Sequence, residues 1–262
     1  MAAGIFYPEE KKALADWIDR FADRHPKKEK LLGLLAPHGG YLSSGEVAGS
    51  VYSRVIWPRR VIVMGPSHTG VGRPLSLMKK GVWETPLGSL PVDEELAKRV
   101  LDETPELEAD PKAHEEEHSI EVQIPFLQRL GKVDSFLPVL FQSGDAGAAV
   151  RIGQGIARAI AGFDEEVLLI ATTDLTRYEP RQIAREKDPI AIERILALDE
   201  AGLFDAVEVH SISMCGTMPV AVALAASKCL GGSRAAVAAH QIDEGFGAEP
   251  ASVVGFVGVT LQ

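Results

Sequence analysis

Apolar runs and amphipathic stretches alternate from one end of the chain to the other. Residues 8–24 place Leu14, Trp17, Ile18 and Phe21 at helical spacing, which predicts a helix with one apolar face. Leu31 to Ala36 and Val61 to Met64 are short, continuous apolar runs, as expected of strands covered on both faces. Between them, Gly45 to Ile56 reads as a helix. Asp93 to Glu103 is a further helix with Asp93 as its cap, because an aspartate there accepts from free backbone N–H groups. His118 to Leu130 reads as helical, with Pro125 forcing a kink or a late start. The pattern continues with a strand over Phe136 to Phe141, a helix over Ala146 to Ile160 and a strand over Val167 to Ala171. Helices over Asp188 to Leu198 and Gly216 to Leu230 follow, then closing strands over Ala235 to Ala239 and Val253 to Leu261. Residues 71–92, rich in Gly and Pro, read as an excursion or hairpin. Strands alternating with helices predict a single-domain α/β fold over residues 1–262, with a mixed, largely parallel sheet covered by helices on both faces.

Three buried strands run into polar clusters: Pro37-His38-Gly39-Gly40-Tyr41, then Gly65-Pro66-Ser67-His68-Thr69-Gly70, then Thr172-Thr173-Asp174-Leu175-Thr176-Arg177-Tyr178. Open α/β sheets bind ligands in the crevice outside the carboxyl ends of their strands. If the three strands are parallel neighbours, His38, His68 and Asp174 converge there. A single histidine after a strand is more often a loop hydrogen-bonder than a ligand. Two in the same setting, flanked by glycines that allow close approach, point to a site.

Cys215 precedes Gly216-Thr217-Met218-Pro219 and an apolar helix. A helix N-terminus favours a thiolate, so Cys215 is placed to be a ligand or a nucleophile, against the alternative of a buried structural cysteine. Cys229 has no such context. On one continuous helix the two cysteines would stand about 21 Å apart, beyond disulfide reach, so both are expected reduced, as in a cytoplasmic protein. Within Glu115-Glu116-Glu117-His118-Ser119 the acids read as a solvated face or helix start, and His118 as a proton carrier. His25, His114, His210 and His240 read as structural or surface residues.

The 262 residues carry a formal net charge of −10 at 46% hydrophobic content. Such a charge repels phosphate backbones and anionic membrane surfaces, so neither nucleic acid nor membrane is expected as a partner. The longest apolar stretch, about residues 219–226, is far short of the roughly 20 residues that span a bilayer, and the N-terminus has no secretory pattern. Walker A, Gly-x-Ser-x-Gly and His-Glu-x-x-His motifs are absent, which removes support for nucleotide-binding, serine-hydrolase and zincin readings.

The clusters match the Memo family in order and spacing. They are Ala36-Pro37-His38-Gly39-Gly40-Tyr41 with Ser44-Gly45, Gly65-Pro66-Ser67-His68, Trp83-Glu84-Thr85-Pro86-Leu87-Gly88, Val92-Asp93, the block from Glu117-His118-Ser119 to Pro125-Phe126-Leu127, Thr173-Asp174 with Tyr178, and Cys215-Gly216. The chain is therefore identified as a member of the Memo family, known in bacteria and archaea as the B component of the AmmeMemoRadiSam system. The resemblance implies a fold like the LigB-type class III extradiol dioxygenases. It implies a metal site of His38, His68 and Cys215 for iron, or for another transition metal such as copper or zinc. Beside it, His118, Asp174 and Arg177 are the catalytic candidates, and the resemblance suggests a small-molecule or peptide ligand and proteins of the AmmeMemoRadiSam system as partners.

Two positions depart from the family pattern. Thr69 stands where many members carry a second consecutive histidine. Arg177 stands where a histidine, three residues after the aspartate, would be the acid/base. Arginine stays protonated near neutral pH, so it would pair with Asp174 or clamp an anionic substrate instead. Three functions follow for comparison: a non-haem iron dioxygenase-like redox enzyme, a binding or scaffold protein that retains the pocket, and a metal-assisted hydrolase.

Overall fold

The computed structural model describes residues 2–131, 133–244 and 252–262. Four parallel strands form the centre of the sheet: β1 (Gly33–Ala36), β2 (Arg60–Pro66), β7 (Ser135–Phe141) and β8 (Val167–Thr172). Their spatial order is β1-β8-β2-β7, so the runs read as buried strands are neighbours with a common direction. Nearly every residue in them is buried, which is why they show no polar alternation.

The flanks are mixed. On one side, β11 (Ser252–Leu261) pairs antiparallel with β1, and β10 (Ala235–Glu244) pairs with β11. On the other, β3 (Leu75–Leu77) runs antiparallel to β7 and pairs with the two-residue β6 (Glu108–Ala109). A small hairpin of β4 (Val82–Thr85) and β5 (Gly88–Pro91) accounts for the Gly- and Pro-rich excursion.

One sheet face carries α3 (Glu94–Glu103), α5 (Ala146–Ala161), α6 (Arg181–Leu196), α7 (Glu200–Val209) and α8 (Thr217–Cys229). The other carries α1 (Lys11–Phe21), α2 (Tyr41–Ser53) and α4 (Ile124–Leu130). Each face has its own core. Leu35, Ile62 and Leu169 point into the first, while Leu34, Val61 and Leu168 point into the second, as the two-residue strand period requires. Asp93 caps α3 by accepting from Leu96 N–H at 3.0 Å. Pro125 sits in the first turn of α4, so the helix starts late, after a short 3₁₀ turn over Glu121–Gln123.

Three expectations are corrected. The helix expected from Gly45 begins at Tyr41, whose buried ring donates its hydroxyl to Val122 C=O at 2.7 Å. Within it, a Cβ on Gly49 would meet the Phe21 carbonyl oxygen at 2.3 Å, so this glycine allows α1 and α2 to touch. The helix expected from Asp188 begins at Arg181 and passes through Pro189. Ala184, Asp188, Ala191 and Ile195 form a buried stripe across the proline, and its packing offsets the lost hydrogen bond. The polar segment after β8 is not all loop: β9 (Asp174–Pro180) pairs antiparallel with β11, setting Asp174 opposite Phe256 and Arg177 opposite Val254. Among the described residues, no helix is long and apolar enough to cross a membrane.

Candidate metal centre

His38 follows β1, Thr172 ends β8 and His68 follows β2, so three adjacent parallel strands deliver their ends to one point. Cys215 arrives from the turn before α8, where the Gly216 N–H donates to Thr173 Oγ1 at 3.0 Å. A ligand atom from each of His38, His68 and Cys215 lies within 4.8 Å of the other two. His38 Nε2 is 3.2 Å from Cys215 Sγ. The close turn at Gly216 makes this approach feasible: a Cβ there would stand 2.5 Å from the Thr172 carbonyl oxygen.

His38 is buried, and its ring is held from behind. Its Nδ1 lies 2.8 Å from Thr172 Oγ1, and Gln123 donates from Nε2 to the same oxygen at 3.2 Å. Gln123 is itself fixed by Tyr52, whose hydroxyl donates to Oε1 at 2.7 Å. A proton on Nδ1, donated to Thr172, leaves the Nε2 lone pair facing the cysteine. Burial, with His68, His118 and Arg177 nearby, holds the His38 pKa well below the ordinary histidine value, so the ring is neutral.

Glu117 organises the other two imidazoles. Its Oε1 is 3.0 Å from His68 Nδ1 and 3.3 Å from His118 Nδ1, and it accepts from Ser119 N–H at 2.8 Å; Oε2 accepts from His68 N–H. Burial acts to raise this carboxyl, but the bonds from His68 and Ser119 outweigh it and pull its pKa down to about 2. The His68 and His118 rings stack with centroids 4.8 Å apart, and Phe6 stacks on the outer side of His118 at 4.3 Å. His68, Glu117 and His118 form a second group whose ligand atoms lie within 4.8 Å of one another.

Asp174 completes the inner wall. Its Oδ1 accepts from His38 N–H at 3.1 Å, and its own backbone N–H points at Cys215 Sγ, 3.4 Å away. Burial raises its pKa, partly opposed by the His38 N–H and by Arg177. The expectation of a thiolate at Cys215 meets opposing surroundings in the absence of a cation. Burial and the Asp174 charge push this thiol up to about 12, and Arg177 and two backbone N–H groups only partly offset them. A cation at Sγ would reverse that balance, because a bound metal ion deprotonates a thiol outright. Cys215 and Cys229 are both free, as expected.

Beside these groups opens a pocket of about 240 Å³, lined by His38, His118, Asp174 and Arg177 with Phe6, Tyr178, Val254 and Phe256 among its walls. All six site residues named from the sequence therefore border one another or this pocket. Thr69 lies outside it, exposed, and accepts from Val71 N–H at 3.3 Å. The sequence reading missed Glu117, Thr172 and Gln123. Glu115 and Glu116 are solvated, but Glu117 is only 3% exposed. The available signal was that Glu117 directly precedes His118 and Ser119 in the motif block.

A family model described as Memo-like protein matches residues 1–260. A MEMO1 family protein of Methanopyrus kandleri is 36% identical, covering 99% of this chain and 97% of that protein. The chain belongs to the Memo-like family. Other Memo-like relatives include MEMO1 family proteins of Pyrobaculum arsenaticum, 38% identical over 87% of this chain and 86% of the relative, and of Methanocaldococcus jannaschii, 35% identical over 99% and 97%. The Memo-like fold is shared with an uncharacterized protein from Escherichia coli K12, with a TM-score of 0.57 at 14% identity, over 87% of this chain and 99% of that one.

Proposed function

We propose that this Memo-like protein binds one transition-metal ion, iron foremost, through His38 Nε2, His68 Nε2 and Cys215 Sγ, and uses it for non-haem dioxygenase-like redox chemistry on a small organic ligand. The observation that carries the reading is the convergence of these three donors within 4.8 Å of one another, beside a pocket that His38 lines. The donor set fits a metal. Both histidines have their Nδ1 engaged by Thr172 or Glu117, the outer-shell arrangement that orients metal-binding imidazoles. A ferrous ion held by two imidazoles and one thiolate would supply a redox-active centre with open coordination positions.

The protein's own groups then have separable tasks. His118 lines the pocket, and burial keeps its pKa below the ordinary value. Its free Nε2 accepts a proton from a ligand hydroxyl, and Glu117 stabilises the imidazolium that results. Asp174 braces the His38 backbone and adds negative charge beside the centre. Arg177 holds a permanent positive charge at the pocket wall.

A second reading, a binding or scaffold protein that retains the pocket without turnover, is favoured by Arg177, because a guanidinium cannot act as a base. Measuring metal content of the full-length protein together with oxygen consumption on catechol-like substrates separates the two. Stoichiometric metal with oxygen uptake supports the redox enzyme, and stoichiometric metal without uptake supports the binding protein. Hydrolysis without oxygen uptake would instead favour a metal-assisted hydrolase. Protein that takes up no metal on reconstitution would remove the proposal.

A further inference from the structure

Arg177 is held in the pocket wall yet makes no ion pair within 4 Å among the described residues. Its backbone is fixed, because its N–H donates to Ser213 Oγ at 2.7 Å and β9 pairs it with Val254. Its Nη2 makes only a long contact, 3.4 Å, to the Tyr178 hydroxyl. Its Nε is buried and has no hydrogen-bond partner. A buried guanidinium N–H without an acceptor is costly, and few persist in folded proteins without a reason. Asp174 shares the pocket, but its Oδ1 accepts from the His38 N–H at 3.1 Å. Arg177 therefore lines the pocket with hydrogen-bonding capacity that no described residue fills.

The rest of the pocket describes that ligand. Phe6, Val254, Phe256 and the 63% exposed Tyr178 supply apolar and aromatic wall. Phe6 is locked by its stack on His118. At about 240 Å³, the space falls below the ~300–1,000 Å³ typical of drug-sized ligands, which limits the occupant to roughly a single ring. Asp243 lines the same pocket, paired across β11 with Val254, on the opposite side of that residue from Arg177. A second negative group on the ligand would meet its charge.

We propose that the pocket takes a small planar monocarboxylate, its carboxylate received bidentately by Arg177 and its ring lodged against Phe6 and Phe256. This names a substrate class for the metal-centre reading and rests on that reading only for the chemistry that follows binding. A guanidinium–carboxylate fork is directional and charge-assisted, so recognition is specific for an ionised planar acid over its neutral isostere.

The test uses benzoate and benzamide as probes in calorimetric titrations of the full-length protein. Each titration is run as purified and again after chelation, so that loss of the metal reading and loss of this one are distinguishable. Wild type is expected to bind benzoate about ten- to hundredfold more tightly than benzamide, in both metal states. Arg177→Gln should remove that preference, and Arg177→Lys should keep part of it. Circular dichroism confirms that the variants fold. Equal binding of the two probes, benzoate binding unchanged in a folded Arg177→Gln, or benzoate binding that disappears on chelation would each overturn the proposal.

Discussion

Glu117 offers the sharpest test of how the site is built. Replacing it with glutamine keeps size and shape but exchanges one carboxylate oxygen for an NH₂ group. The remaining oxygen can still accept from Ser119 N–H and His68 Nδ1, which now sit 2.8 and 3.0 Å from Oε1. The NH₂ group must then face the His68 backbone N–H, so two donors meet where an acceptor stood. Hydrogen bonds to a charged group contribute about 1.5–3 kcal/mol each. One is lost outright and two are weakened, which puts the cost at about 3 kcal/mol. With an unfolding entropy of about 2.1 cal/mol/K per residue over 262 residues, that corresponds to a fall in Tm of roughly 5 °C. Thermal unfolding of wild type and Glu117→Gln in the presence of a chelator measures it without a metal contribution. A shift below about 1 °C would refute the claim that Glu117 is the keystone of the His68 and His118 wall.

Further expectations follow from the same geometry. Thr172→Val removes the partner of His38 Nδ1, so metal affinity should drop about tenfold while the fold is retained; competition with a chromogenic chelator reads this. Gly216→Ala forces a Cβ to within 2.5 Å of the Thr172 carbonyl oxygen, so the Cys215 turn must shift; metal occupancy should fall with little change in far-ultraviolet dichroism. Burial lowers the His114 pKa to about 4, and neither of its ring nitrogens has a hydrogen-bond partner among the described residues. Between pH 6.5 and 4 the unfolded chain binds a proton that the folded protein excludes, so stability present above pH 6.5 is lost as pH falls, by about 3 kcal/mol in all. His114→Phe should flatten that part of the denaturant-measured stability profile, and an unchanged slope would contradict the assignment.

Much of this was legible before any coordinates. The unbroken apolar runs at Val61–Met64 and Val167–Ala171 fit strands covered on both faces. Once they are parallel neighbours, the placement of His38, His68 and Asp174 follows from the sheet. What could not be read locally depended on distant partners. The α2 start at Tyr41 rests on a hydrogen bond to Val122, and the helix through Pro189 rests on a buried stripe that includes Asp188, which accepts from Thr176 N–H at 3.0 Å. The β9 strand is polar in sequence, and its pairing with the distant β11 could not be read locally. The upward push on the Cys215 thiol could not be read locally, because a helix N-terminus is visible in sequence while burial beside Asp174 is not. Glu117 was hidden among two solvated glutamates for the same reason.

The central claim is that His38, His68 and Cys215 hold one metal ion together. Elemental analysis of iron-reconstituted wild type beside His38→Ala, His68→Ala and Cys215→Ala, all confirmed folded, tests it most directly. The account predicts about one equivalent in the wild type and a large loss in each variant. Equal loading in all four proteins would contradict it.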